Sequence, residues 1–150
     1  MFVCDFDFTP ESIGYIYVKE VANLVNIPLK FGGISYRCTC LSCQGKSYCV
    51  IPFRRVTDEL ATKMSLLVSE VSFFEKEIVT VVAQIIDRHN IIVKAYNSGS
   101  IVDDAEMVMC VSVGALRQMR FVDTEVWVEY NDEEGRVLID SEGKAILQIK

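Results

Sequence analysis

The sequence predicts an α+β fold: a single globular domain over residues 1–150, with a mostly antiparallel sheet or a partly closed barrel. Apolar and polar residues alternate in pairs of neighbouring segments, which is the pattern of β-hairpins. Helical patterns lie between these pairs, without the regular strand–helix alternation that a parallel sheet requires. Hydrophobic residues make up 51% of the chain and charged residues 24%, which is typical of a globular domain.

The first predicted elements are a strand and a helix. Residues 2–8 place apolar side chains on one face and acidic ones on the other, which indicates a half-buried strand. Thr9 suits the N-cap of a helix and Pro10 its first position. This first main helix is predicted over about residues 10–26 and should end before Pro28, because the residue before a proline disfavours the helical conformation.

A β-hairpin and a second main helix follow. Residues 34–40 alternate as a strand does, and residues 47–53 form the returning strand after a turn. Thr57 then begins the helix with the clearest apolar face in the chain, predicted over about residues 57–74.

The C-terminal half is predicted to consist mainly of strands, with a short helix near residues 114–120. β-Branched residues favour a strand over residues 78–86, although the apolar positions there also fit one face of a helix. The last two strands should form a closing hairpin. The predicted strands cover residues 78–86, 91–96, 107–113, 124–130, 136–139 and 144–149.

Charge and hydropathy restrict the partners that we expect. The net charge is -6, and an acidic chain without a long basic run argues against nucleic acid and against an anionic membrane surface. No apolar stretch reaches the roughly 18 residues that a membrane span needs, and the first residues lack the basic start of a signal peptide. We therefore expect a soluble, cytoplasmic or otherwise intracellular protein whose partner is another protein, in a hetero- or homo-oligomer.

A cluster of four cysteines is the first candidate site. Zinc prefers four thiolate or imidazole ligands, and four thiols within twelve residues could supply them. The alternative, which we favour, is that these are small apolar residues on a half-buried hairpin, so no metal is assigned. The four residues are Cys38, Cys40, Cys43 and Cys49.

The segment Asp5-Phe6-Asp7-Phe8-Thr9 is the second candidate. It resembles the first motif of the haloacid dehalogenase phosphatases, an Asp-x-Asp-x-Thr at the end of a strand. The resemblance implies that Asp5 is the nucleophile and a magnesium ligand, and that Asp7 is the general acid/base. The alternative interpretation is a half-exposed strand whose outward residues are aspartates.

The segment from Glu106 to Lys150 resembles half of the double-psi barrel in the N-terminal domains of type II AAA ATPases. The resemblance implies a barrel that docks adaptors or substrates and does no chemistry. The alternative is a generic strand–helix–strand segment.

Three further features give no catalytic site. His89 is the only histidine, and the sequence places it in an exposed turn. Asp103 and Asp104 form an acidic loop. The chain also lacks the glycine-rich motifs that bind nucleotides.

Two functions therefore stay open. The leading hypothesis is a non-catalytic protein–protein interaction or adaptor domain, with no catalytic residues and no cofactor. The alternative is a small magnesium-dependent phosphohydrolase that uses Asp5, Asp7 and Thr9.

Overall fold

The computed structural model describes residues 2–5, 24–31, 33–43, 46–70, 77–141 and 144–149. Helix α1 spans Asp58–Ser69 and helix α2 spans Ala105–Gln118. The strands of the described part are β1 (Phe2–Asp5), β2 (Leu24–Phe31), β3 (Ile34–Cys43), β4 (Lys46–Phe53), β5 (Ile78–Asp87), β6 (Asn90–Asn97), β7 (Ser100–Ile101), β8 (Glu125–Tyr130), β9 (Glu133–Ile139) and β10 (Lys144–Ile149).

All of these strands belong to one mixed sheet. Nine of them follow in the order β1-β10-β9-β8-β6-β5-β4-β3-β2, and β7 pairs with β6 beside this path. Two neighbouring pairs are parallel, β4 with β5 and β6 with β8, and the other pairs are antiparallel. Each parallel pair is joined through a helix, because parallel strands need a long crossover connection.

The two helices pack on opposite faces of the sheet. Side chains alternate between the faces along a strand, so consecutive residues of β5 enter different cores. Val81 belongs to the core that contains α2, and Val82 belongs to the core that contains α1. Both crossovers move in the same direction along the sheet, but their strands run in opposite senses. Right-handed connections of this kind place their helices on opposite faces.

Helix α2 is buried on all of its sides. Every residue from Met107 to Leu116 is buried, and the helix contacts β1 and β2, the two edges of the sheet, as well as the strands between them. The Ser112 hydroxyl donates to Val108 O at 2.5 Å, so this polar group is satisfied inside the helix. The sheet therefore curls around α2 as a central helix.

The edge strand β2 carries two features that disfavour further strand pairing. Pro28 lies inside the strand and has no backbone N–H to donate. The register shifts between Leu24 and Ile27, where Asn26 has a φ of 51°. A proline and a bulge are common means of protecting a sheet edge.

The predicted fold class is wrong in its sheet. We expected a mostly antiparallel sheet or a partly closed barrel, but the sheet is mixed, and in the described residues its edges β1 and β2 do not pair to close a barrel. The crossover between β6 and β8 was missed because residues 107–113 were predicted as a strand, whereas they form half of α2. An apolar run of this kind suits a buried strand and a buried helix equally well.

All three predicted helices need correction. Residues 24–26 of the predicted helix 10–26 begin β2, and residues 10–23 lie outside the described part of the chain. The helix predicted over 57–74 spans Asp58–Ser69 and ends at its C-cap Glu70. The short helix predicted near 114–120 is the C-terminal part of the longer α2.

Several predicted strands are confirmed. The hairpin β3–β4, the strand over residues 78–86 and the closing hairpin β9–β10 lie where they were predicted. Neither α1 nor α2 has the length and apolar composition that a membrane crossing requires.

Candidate functional site

Three segments meet at one end of the sheet and line a pocket. They are the β5–β6 turn, the C-terminal end of α2 and the loop before β8. Two backbone hydrogen bonds join the turn to the chain around β8: Asp123 N donates to Arg88 O at 2.9 Å, and Trp127 N donates to His89 O at 2.8 Å. The parallel pairing of β6 with β8 thus brings together residues that are far apart in sequence.

An ion pair between Arg88 and Asp123 holds these segments together. Arg88 Nε donates to Asp123 Oδ1 at 2.8 Å, and Arg88 Nη2 lies 2.7 Å from the same oxygen. Arg88 Nη1 also donates to Arg120 O at 3.2 Å. The Arg88 guanidinium holds the pKa of Asp123 below its ordinary value. The Arg88 side chain therefore connects the β5–β6 turn to the end of α2 through these hydrogen bonds.

His89 is fixed by contacts at its backbone and at both ring nitrogens. Its N–H donates to Asp87 Oδ1 at 2.8 Å, and the hydrogen bonds from Asn90 and His89 lower the pKa of Asp87. Nδ1 lies 2.9 Å from Glu125 O, and Nε2 lies 3.3 Å from Asp123 Oδ2. Both partners are acceptors, so only the doubly protonated ring donates to both. The ring is positioned by the turn and by β8 together.

The pocket between these segments has a volume of about 610 Å³. Three of the seven arginines of the chain and its only histidine line it, against two carboxylates. Arg117 Nε is buried without a hydrogen-bond partner. The charged residues of the pocket are Arg88, His89, Arg117, Arg120, Asp123 and Glu125.

Part of this charge also stabilises the helix. Arg117 lies in the last turn of α2 and Arg120 directly follows the C-cap, where positive charge complements the helix dipole. Arg120 has a φ of 67°, in the left-handed region, and its N–H donates to Arg117 O at 2.9 Å. These interactions explain the position of the backbone, but they do not supply a partner for Arg117 Nε.

Three of the four predicted cysteines form a second cluster, on the α1 face of the sheet. Cys40 and Cys49 are register partners on β3 and β4, and Cys38 lies two residues before Cys40 on the same face. The three Sγ atoms all lie within 4.8 Å of one another, and all three residues are fully buried. Cys43 is the last residue of β3 and pairs with Lys46, and its side chain lies outside the described part of the structure.

Hydrogen bonding among the three thiols shifts their pKa values in opposite directions. The thiols of Cys40 and Cys49 donate to Cys38 and lower its pKa to about 5. This sharing, together with burial, raises the pKa of Cys40 and Cys49 above the ordinary thiol value. One negative charge is therefore distributed over the cluster more readily than two or three.

The remaining predicted residues do not form a common site among the described residues. Asp5 ends β1, an edge strand that pairs antiparallel with β10, and Asp7 and Thr9 lie outside the described part. Asp104 is the N-cap of α2 and accepts from Met107 N at 3.4 Å. The phosphohydrolase motif therefore stays a prediction.

The pocket residues were missed at the level of the sequence. His89 was assigned to an exposed turn, which is where it lies, but its contacts to Asp123 and Glu125 depend on the pairing of β6 with β8. The only local signal is the spacing of Arg117, Arg120 and Asp123 around the end of a helix. The sequence predicted this helix end, but not that the turn around His89 packs against it.

Comparison with solved structures shows a similar fold over part of the chain. No protein-family model and no curated protein matches the sequence. Among solved structures, the chain is similar to a crystal structure of a phenazine biosynthesis protein of the PhzF family from Enterococcus faecalis, with a TM-score of 0.50 and 9% identity. The alignment covers 65% of this chain and 35% of that protein. A likeness at this identity concerns the fold alone, since one fold supports many functions.

Proposed function

We propose that this chain binds a small molecule carrying an oxyanion group, a phosphate or a carboxylate, in the pocket between the β5–β6 turn and the end of α2. The observation that carries the proposal is the concentration of three arginines and the only histidine around one pocket of an acidic chain. The volume of about 610 Å³ lies within the usual range of small-molecule sites.

The arginines suit an oxyanion because of their geometry. A guanidinium presents planar N–H donors that match the paired oxygens of a carboxylate or phosphate. Arg88 already uses its donors on Asp123 and Arg120, so Arg117 and Arg120 are the side chains to which we assign ligand contact. The buried Nε of Arg117 is a donor that a bound oxygen would satisfy.

The surrounding charges would make this site selective. The chain as a whole carries a net charge of -6, which repels anions, whereas the arginines around the pocket attract them. Asp123 and Glu125 lie at the same pocket and keep its net positive charge small. We therefore expect a compact ligand with one or two negative charges rather than a polyanion.

We infer binding rather than catalysis from the contacts of the His89 ring nitrogens. A general base needs a ring nitrogen free to accept a proton from the substrate. Both ring nitrogens of His89 lie against acceptors of the protein itself, Glu125 O and Asp123 Oδ2. The histidine is thus engaged in holding the pocket wall.

The test is a titration of the full chain with inorganic phosphate and, separately, with succinate, monitored by the backbone amide NMR signals of residues 88–90 and 117–125. We expect saturable shifts in these signals and weaker binding at higher salt. Arg117→Gln should reduce the affinity by about tenfold or more, because a charge-assisted hydrogen bond is lost.

The matched control is Arg37→Gln. It makes the same change of charge at an exposed arginine that does not line the pocket and donates to Asn26 O. If neither anion produces saturable shifts, or if Arg117→Gln binds as well as Arg37→Gln, the proposal is wrong.

The interaction function predicted from the sequence is a second candidate. It is favoured by two exposed apolar side chains: Leu66 on α1 is 47% exposed to solvent, and Ile101 on β7 is 49% exposed. Gly99, in the turn before β7, donates its N–H to Ser65 Oγ, which holds this turn against α1. The Leu66 side chain lies against Gly99, two residues before Ile101, and an exposed apolar patch of this kind favours protein contacts. Sedimentation velocity tests the self-associating form: Leu66→Glu should shift a dimer of the wild type to monomer.

A further inference from the structure

We infer that Cys38, Cys40 and Cys49 form a three-coordinate thiolate site for a soft monovalent metal ion, with Cu(I) as the ion that fits. This site is separate from the anion pocket, which lies at the end of α2. It also differs from the four-cysteine zinc site considered from the sequence, because it needs only three ligands.

The positions of the three sulfur atoms fit one central ion. Metal–thiolate bonds of about 2.3 Å around a trigonal ion place the sulfur atoms about 4 Å apart. The three Sγ atoms already lie within 4.8 Å of one another. Binding therefore requires side-chain adjustments of well under 1 Å around a metal–ligand distance of this size.

The backbone holds these ligands in place before any ion arrives. Cys40 and Cys49 face each other across the antiparallel pair β3–β4, and Cys38 pairs with Ile27 of the next strand. All three side chains lie on the face covered by α1, among buried residues such as Met64 and Val82. A site on paired strands needs little ordering when it binds, so its affinity is not reduced by a folding step.

The ligand set selects the metal by its chemistry. Thiolates are soft ligands that suit Cu(I) and zinc, but zinc in structural sites takes four ligands. The metal-ligand cluster found in the described residues contains three cysteines and no histidine or carboxylate. A monovalent ion that accepts three sulfur ligands matches this set better than a divalent ion that requires a fourth.

A buried hydroxyl beside the cluster is a second, independent observation. Thr80 is the register partner of Cys49 on β5 and is fully buried, yet its Oγ1 has no hydrogen-bond partner. An unsatisfied polar atom in an otherwise apolar core is unfavourable, and thiolate sulfurs bound to metal accept hydrogen bonds. A metal-bound cluster would give this hydroxyl an acceptor that a set of packed thiols supplies poorly.

Binding exchanges protons for the metal ion. Each cysteine that becomes a ligand releases its thiol proton to solvent and forms one sulfur–metal bond, with no change in oxidation state. The positive ion offsets part of the thiolate charge, which an apolar face would otherwise not hold. Affinity should therefore rise with pH.

The experiment uses the reduced full chain under anaerobic conditions, titrated with Cu(I) against a colorimetric Cu(I) chelator. We expect one Cu(I) per chain and a rise in melting temperature on binding. Cys38→Ser, Cys40→Ser and Cys49→Ser should each lower the affinity by about 100-fold or remove binding, in line with the loss of a ligand. Circular dichroism of each metal-free variant checks that it is folded.

Two control variants make the outcome specific. Cys110→Ser changes a buried cysteine of α2, outside the cluster, and should bind Cu(I) as the wild type does. Cys43→Ser should also keep its affinity, because three ligands suffice. Loss of binding in Cys43→Ser, unchanged binding in Cys38→Ser, or tighter 1:1 binding of zinc than of Cu(I) would each overturn the inference.

Discussion

Tyr130 shows how one buried polar group couples the stability of the fold to pH. Its hydroxyl donates to Val102 O and lies 3.4 Å from Ala95 O, so it joins the end of β8 to the segments on either side of β7. Burial raises the pKa of Tyr130 from 10.0 to about 12. The folded chain therefore keeps the phenol protonated at a pH where the unfolded chain has lost the proton.

The stability that this tyrosine contributes should disappear at alkaline pH. Because the pKa of Tyr130 is raised in the folded state, its contribution to stability is fully present below the unfolded pKa of 10.0. This contribution is lost as the pH rises toward the folded pKa of about 12. Between these two pH values the free energy of unfolding should fall by about 2–3 kcal/mol because of Tyr130. We expect urea unfolding to show Tyr130→Phe about 1 kcal/mol less stable than the wild type near neutral pH, because of the lost hydrogen bond. The difference should shrink or reverse above pH 10. A difference that stays constant with pH would contradict this account.

Single residues were predictable from sequence only where their neighbours are local. The strand positions of Cys38, Cys40 and Cys49 follow from alternation within one hairpin, and the structure brings these three together. The partners of His89 lie more than thirty residues away, at Asp123 and Glu125. No local pattern encodes that contact, because it arises from the crossover through α2.

At the level of elements, the start of α1 is the clearest case of a helix signal in the sequence. Thr57 Oγ1 accepts from Leu60 N at 3.0 Å, and Asp58 and Glu59 occupy the first turn. An N-cap side chain satisfies a backbone donor that the helix itself cannot. Thr57→Ala should lower the free energy of unfolding by about 1 kcal/mol, whereas Thr57→Ser should keep most of it. Urea unfolding measures both, and an equal loss in the two variants would argue against the cap.

Helix α2 was missed because its sequence lacks the feature that identifies surface helices. A helix is recognised by an apolar stripe that repeats every three to four residues. In α2 the stripe is absent, since all positions from Met107 to Leu116 are buried and nearly all are apolar. The remaining signal was at its start, where Asp104 serves as N-cap and Glu106 occupies the first turn. Asp104 was instead interpreted, together with Asp103, as an acidic loop.

At the level of the whole molecule, the topology could not be read from the order of the elements. A hairpin is local, and the hairpins β3–β4 and β9–β10 were predicted, whereas β2–β3 was missed because the start of β2 was assigned to a helix. The parallel pairs β4–β5 and β6–β8 require each crossover helix to be recognised first, and one of the two had been assigned as a strand. The error in α2 therefore removed the parallel pair β6–β8 from the prediction, whereas the parallel pair β4–β5 was missed although its helix α1 was recognised.

The two cores should unfold together, because the strands β4 and β5 belong to both. Val81 and Val82 are adjacent on β5, fully buried, and face the α2 and α1 cores respectively. Truncating either one to alanine should lower the free energy of unfolding by roughly 2 kcal/mol. Loss of either core also removes the packing that holds β5 in place for the other. We therefore expect hydrogen exchange with mass spectrometry to show the peptides of α1 and α2 losing protection by the same free energy in Val81→Ala and in Val82→Ala. If Val82→Ala lowers protection in α1 alone, the faces open as separate units, and β5 does not couple them.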